Sequence, residues 1–139
     1  QIWHPPKHKD CTVYFSPATG DSLVAKFVFY KNEQYFAECA EESVQLRAGD
    51  QALLGPNGYC ERETPGDDYD LGDNGSLTYL HTHFHHKLTA TLLITEVFKR
   101  LLLAAGCFNN SFYCSEQMFC IDRTLVCNTY DDCGNNEDE

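Results

Sequence analysis

Five of the chain's eight cysteines lie within residues 107–133, and this crowding constrains the fold more than any other feature of the 139-residue sequence. The spacing is Cys107-x6-Cys114-x5-Cys120-x6-Cys127-x5-Cys133, followed by Gly134, Asn135, Asn136, Glu137, Asp138 and Glu139. No CxxC pair occurs, so the pattern reads as a disulfide framework made in an oxidising compartment, which points to secretion or cell-surface display. A piece this short cannot bury enough apolar surface to fold alone. Below about 40 residues, disulfides or a metal supply the missing stability. Residues 107–139 carry seven acidic groups against one basic group, Arg123, and five of the seven crowd positions 131–139. A divalent cation relieves repulsion of that kind.

Residues 11–98 read differently. Short apolar stretches rich in Phe, Tyr, Val, Leu and Thr alternate with turn clusters, the signature of an all-β segment. Val13 and Phe15 alternate with polar or amphipathic neighbours, as do Leu23, Ala25, Phe27 and Phe29, and again Val44 and Leu46. This period of two predicts strands with one buried face. Gly49-Asp50, Gly55-Pro56-Asn57-Gly58, Pro65-Gly66-Asp67-Asp68 and Gly72-Asp73-Asn74-Gly75 supply the turns. The expected fold class is therefore mainly β, an antiparallel β-sandwich followed by a small disulfide-rich module. Between the two, the apolar run from Leu101 to Gly106 suggests a packed junction, or equally a last strand or short helical turn finishing the sandwich.

The C-terminal spacing resembles the LDL-receptor class A module, with Phe112 two residues before the second cysteine of the run, Ile121 directly after the third, and Asp138-Glu139 beyond the fifth. The resemblance assigns residues 107–139 to this module and implies the pairs Cys107–Cys120 and Cys114–Cys133. It leaves Cys127 without its family partner, a sixth cysteine, so the natural chain is expected to continue past Glu139. It also implies a calcium ion, held by side chains of Asn128, Asp132, Asp138 and Glu139 and by carbonyls of Leu125 and Tyr130, hard oxygen donors of the kind Ca²⁺ prefers. Asn128 stands where the family usually has Asp, so weak affinity is expected. The family's lysine-gripping positions hold Leu125, Asn128 and Tyr130, and lysine-clamp capture is not expected.

Residues 1–104 resemble a CUB domain. Cys39 to Leu46 is similar to the family's third cysteine and following strand, Leu54 to Cys60 to its fourth-cysteine segment, Gly75 to Tyr79 to a later core strand, and Cys11 to Phe15 to the second-cysteine strand. The implied pair is Cys39–Cys60. Cys11 would ordinarily join an upstream cysteine that this sequence lacks. Of the family's calcium-binding acids, Glu42 could replace the first and nothing replaces the second, so no cofactor is expected in this domain. The run His81-Thr82-His83-Phe84-His85-His86 lies in the second acid's place. It is read as a structural or surface cluster in preference to a zinc or copper site, with a pH-sensitive contact as a third reading.

Asn74-Gly75-Ser76 and Asn109-Asn110-Ser111 are N-glycosylation sequons. The net charge of −11 argues against nucleic acid as a partner. No apolar run approaches the roughly 18 residues of a membrane span, and no basic-then-apolar leader is present, so a membrane is expected only through a segment outside this sequence. Neither a nucleophile elbow, a phosphate loop nor a pair of catalytic carboxylates occurs, and no enzyme is expected. Together the two resemblances imply the ectodomain of a single-pass receptor similar to the LDL-receptor-related proteins with CUB and class A modules, a group that includes nematode guidance receptors for neuroblast migration. The implied role is guidance of cell or neuronal migration by binding an extracellular protein ligand or co-receptor through sandwich loops and the aromatics Tyr59 and Tyr69. Two alternatives stay open: an auxiliary subunit of a neurotransmitter receptor, and a non-catalytic arm of a modular secreted protease. The expected location is the extracellular face of the plasma membrane, with secretion as the second reading, and homo-oligomer formation is left open.

Overall fold

The computed structural model describes residues 2–3, 11–33, 39, 41–81, 88–99, 107 and 110–139. In chain order its strands are β1 (Ile2–Trp3), β2 (Cys11–Phe15), β3 (Ser22–Asn32), β4 (Glu42–Ala48), β5 (Gln51–Ala52), β6 (Asp68–Gly72), β7 (Gly75–His81), β8 (Leu88–Val97), β9 (Ser111–Cys114) and β10 (Phe119–Asp122). A single 3-10 turn, Arg123–Leu125, follows, and no α-helix occurs among the described residues. None of their helices is long and apolar enough to cross a membrane.

Two four-stranded sheets, in the orders β1-β8-β3-β6 and β2-β7-β4-β5, face each other, and β9 and β10 form a separate hairpin. All pairings between these strands are antiparallel. Alternation along the strands delivers one apolar face of each sheet to a common interior. Leu23, Ala25 and Phe27 from β3 and Leu92 and Ile94 from β8 meet Val44 and Leu46 from β4 and Leu77 and Tyr79 from β7. Each fully buried side chain of this size contributes about 1.5–3 kcal/mol relative to exposure. Left-handed backbone at Gly49, Gly55 and Gly72 lets the strands reverse over short distances.

The alternation fails at Phe29. A bulge between Phe27 and Phe29 shifts the register against β8, so that Phe27 opposes Leu92 while Phe29 opposes Thr91. The extra residue turns Phe29 outward, 49% exposed, and Tyr30 takes the interior place. A strict period of two therefore misassigns Phe29.

β8 carries the second half of the architecture. It alternates buried and less buried residues from Leu88 to Leu92, then is buried on both faces from Leu92 to Thr95. The inward face belongs to the sandwich interior. Its outer face is covered by the C-terminal segment, where Val97 packs with Cys114, Phe119, Ile121 and Cys133, joined by Val24, Phe112 and Leu125. A backbone bond from Phe98 N to Cys120 O, 2.9 Å, continues the contact into the β9–β10 hairpin. Lys26 and Val24, two residues apart on β3, share this outer face.

Candidate functional site

Three disulfides are present: Cys39–Cys60, Cys107–Cys120 and Cys114–Cys133. The first ties the approach to β4 to the loop before β6. Asn32 secures the same corner by donating from Nδ2 to the Cys60 carbonyl, 2.5 Å. The other two bracket the β9–β10 hairpin and attach it to the acidic loop that follows. Cys127 is exposed and outside these bridges.

That loop is built from the carboxylates upward. Asp138 is 1% exposed and Asp132 is 4% exposed, the most deeply buried acids of the segment. Asp138 accepts from the backbone N–H groups of Asp132 at 3.0 Å and of Cys133 at 3.4 Å, closing the loop on itself. Its own carbonyl accepts from Cys127 N at 2.8 Å. Glu139 receives the N–H groups of Asn128 at 3.0 Å and Thr129 at 2.9 Å. Asp132 accepts from the Thr95 hydroxyl on one oxygen and from Asn128 Nδ2, 2.8 Å, on the other. Burial pushes the Asp132 carboxyl above its ordinary value, as does the neighbouring Asp138 charge, while the Thr95 and Asn128 bonds pull the other way without prevailing.

Asp131, next in the chain, shows the opposite balance. Burial raises it, but the Lys26 ammonium and the N–H groups of Asn136 and Gly134 outweigh that and hold it below the ordinary carboxylate value. Lys26 Nζ lies 2.8 Å from Asp131 Oδ2. Asp68 stands in the same cleft and is raised, chiefly by burial, against the lowering influence of Lys26.

The donor chemistry of this loop fits a hard divalent cation. Asp132 and Asp138 are buried in the same loop, and burying neighbouring like charges is costly unless a cation offsets them. Glu139 lies on that loop with its oxygens turned to the Asn128 and Thr129 N–H groups, so that the three do not bring oxygens within 4.8 Å of one another. Asn128 is turned differently. Its Oδ1 accepts from Tyr130 N at 2.9 Å, which fixes the amide orientation because a backbone N–H requires an oxygen. The Nδ2 group therefore faces Asp132, as a donor in the place where the resemblance puts an oxygen ligand. Leu125 ends the 3-10 turn, and the Tyr130 carbonyl accepts from Asp132 N at 3.0 Å. Leu125, Asn128 and Tyr130, the lysine-gripping positions, line a cavity of about 630 Å³ shared with Thr95, Glu96 and Phe98 of the sandwich side.

Residues 105–139 match the family model of the low-density lipoprotein receptor domain class A. A class A module occupies this segment. No curated protein matches the chain. Class A modules typically bind calcium and extracellular protein ligands, and a disulfide-rich module of this type belongs to an extracellular or secreted setting. Near the module's cross-link, Cys114, Cys133 and Glu137 bring potential ligand atoms within 4.8 Å of one another. The two sulfurs are joined to each other, so neither is a thiolate and the trio is not a metal site.

The remaining candidates fall in the sandwich. Glu42 is buried, and its Oε2 accepts from the Tyr79 hydroxyl and from Leu88 N at 3.1 Å, so this carboxylate is engaged inside the sheet layer. Of the histidine run, His81 ends β7, while His83, His85 and His86 lie outside the described residues. Asn74 is exposed in the turn between β6 and β7; Asn109 lies outside the described residues. Tyr59 and Tyr69, expected to be exposed, are half-buried. Both pack against the sandwich interior, Tyr59 edge-on to Tyr30 and Tyr69 edge-on to Phe27. Among the described residues of the sandwich the exposed aromatics are Tyr14, at 77%, and Phe29, and in the module Tyr113 and Tyr130 are exposed.

Proposed function

We propose that this chain is the calcium-stabilised, ligand-binding region of an extracellular receptor, in which a CUB-type sandwich presents the class A module. The observation that carries the reading is the burial of Asp132 and Asp138 side by side in a class A segment. The side chains that would hold the cation are Asp132, Asp138 and Glu139, with the Leu125 and Tyr130 carbonyls. Calcium supplies divalent charge that offsets these carboxylates and cross-links the loop. Asp138 meanwhile ties the backbone of residues 132–133 to the end of the loop, and Glu139 holds the turn at Asn128 and Thr129. Asn128, lacking the charge of the family's Asp and facing Asp132 with its nitrogen, accounts for weak binding. The sandwich has no part in this chemistry beyond supporting it, and no catalytic role is proposed for either module. Guidance of cell or neuronal migration through an extracellular protein ligand is the receptor class favoured by the combination of modules.

The test is a calorimetric calcium titration of the full chain with Asp138→Ala beside it. The wild type should bind one ion and the variant none, with the β-sheet circular dichroism of the sandwich unchanged in chelator. A wild type that binds no calcium removes the reading. The reading frame after Glu139 tests the receptor assignment separately: a membrane span supports it, and a protease domain replaces it with the secreted-protease arm.

A further inference from the structure

The acidic loop is not held by its own module alone. Thr95, on the outer face of β8 and 3% exposed, donates its hydroxyl to Asp132 Oδ1 across 37 residues of sequence. Lys26, on the neighbouring strand β3, pairs with Asp131 at 2.8 Å across 105 residues. The other oxygen of Asp131 accepts from Gly134 N at 2.7 Å and Asn136 N at 2.8 Å, so Lys26 grips the carboxylate around which the 131–136 turn is wrapped. Thr95 and Asn128 take opposite oxygens of Asp132 and together fix the plane of its carboxylate. The Phe98 to Cys120 backbone bond and the packing of Val97 on Ile121 and Cys133 hold the two surfaces in register.

We propose that Thr95 is a positioning residue for the cation loop, supplied by the sandwich, with Lys26 as its companion, so that calcium affinity depends on the docked sandwich and bound calcium fixes the two modules as one body. The inference rests on the calcium reading above. Groups that orient metal ligands from outside typically change affinity about 10- to 100-fold when removed. By reciprocity, an ion whose affinity depends on the docked arrangement must favour that arrangement when bound.

The experiment is calcium calorimetry on the full chain for wild type, Thr95→Val, Thr95→Ser and Lys26→Met. Thr95→Val keeps the side-chain shape and removes the donor; affinity should fall about 10-fold, and Thr95→Ser, which restores the hydroxyl, should recover most of it. In the wild type, amide hydrogen exchange over residues 92–97 should slow on adding calcium, and in Thr95→Val this coupling should vanish. Lys26→Met is informative by sign. Removing a nearby cation raises calcium affinity through charge alone, so a fall shows positioning. It also carries the test if Thr95→Val does not fold by circular dichroism. Calcium bound equally by wild type and Thr95→Val overturns this inference alone, as does unchanged or tighter binding by Lys26→Met where it stands in for an unfolded Thr95→Val. A wild type that binds no calcium overturns the calcium reading as well.

Discussion

The sandwich and the class A module solve the problem of order by opposite means. The sandwich is held by an interior drawn from both sheets, and left-handed backbone in its turns falls on glycine, at Gly49, Gly55, Gly58 and Gly72. The module has a small apolar cluster, two disulfides and a network of carboxylates. Among the described residues, all five non-glycine positions with left-handed φ lie there: Asn110, Met118, Cys127, Thr129 and Asn136. For a β-branched residue such as Thr129, at φ 75°, that conformation is costly and persists only where the surroundings over-determine it. Glu139 supplies part of that constraint by accepting the Thr129 N–H. Where burial is scarce, covalent links and charge compensation hold backbone shapes that burial alone would not.

The largest test of this contrast removes a cross-link. The paired substitution Cys114→Ala with Cys133→Ala should cost about 2–5 kcal/mol of the module's stability and abolish its order at physiological temperature. Amide resonances of residues 111–139 should collapse to unfolded positions while those of β2, β4 and β7 keep their dispersion. Joint loss of both sets would show that the sandwich cannot stand without the module on β8, and the comparison would have to be redrawn as a single cooperative unit.

A second test stays within the sandwich. Phe27 is buried in the interior, whereas Phe29, two residues later, faces outward because of the bulge. Phe27→Ala should cost about 3–5 kcal/mol. Phe29→Ala should stay within about 0.5 kcal/mol, as surface substitutions do. Denaturant midpoints for the two variants measure this. Similar costs would mean that β3 runs without the bulge and that the plain alternation was right.

These two residues also mark how far the sequence was legible. Strands around Leu23, Ala25 and Phe27, and around Val44 and Leu46, were readable because burial on one face imposes a period of two, and the class A segment was readable because its cysteine spacing is a local pattern. The bulge was not readable, since an inserted residue leaves the composition of a strand unchanged and shows only in its partner's register. The docking face of β8 did leave a trace. Leu92, Leu93 and Ile94 are three consecutive apolar residues, which a strand covered on one face does not require. The support given by Thr95 and Lys26 left none, because a single hydroxyl or ammonium meeting a carboxylate far along the chain follows no periodicity. The aromatic pair Tyr59 and Tyr69 was read as exposed on residue type alone; packing against Tyr30 and Phe27 leaves both half-buried.

The smallest effect concerns acid, and each region holds carboxyls shifted in both directions: Asp70 and Glu96 are lowered and Asp68 raised in the sandwich, while Asp131 is lowered and Asp132 raised in the module. At the sandwich end of β8, Asp70 accepts from Lys99 and from Gly72 N, and Glu96 accepts from Ala18 N and from the Thr19 hydroxyl. Burial pushes both carboxyls up, but these bonds prevail and hold both below their ordinary values. A carboxylate lowered in the folded state stabilises the fold above its unfolded value, and that contribution is lost as pH falls through the folded value. The sandwich should therefore lose stability below about pH 4. Because the Lys99 and Asp70 side chains are 41% and 56% exposed, solvent screens the pair and its share should stay below about 1 kcal/mol. Asp132, raised by burial, works in the other direction, favouring the folded module once it is protonated. Thermal melts of the full chain in chelator, followed from pH 7 to pH 3, should show the Asp70→Asn variant starting slightly less stable and declining less steeply than the wild type. Parallel declines would mean that the Lys99 pair adds nothing to the seam where β8 leaves the sandwich, and that the end of this strand is held by the Glu96 contacts and by the packing of Val97 on the module.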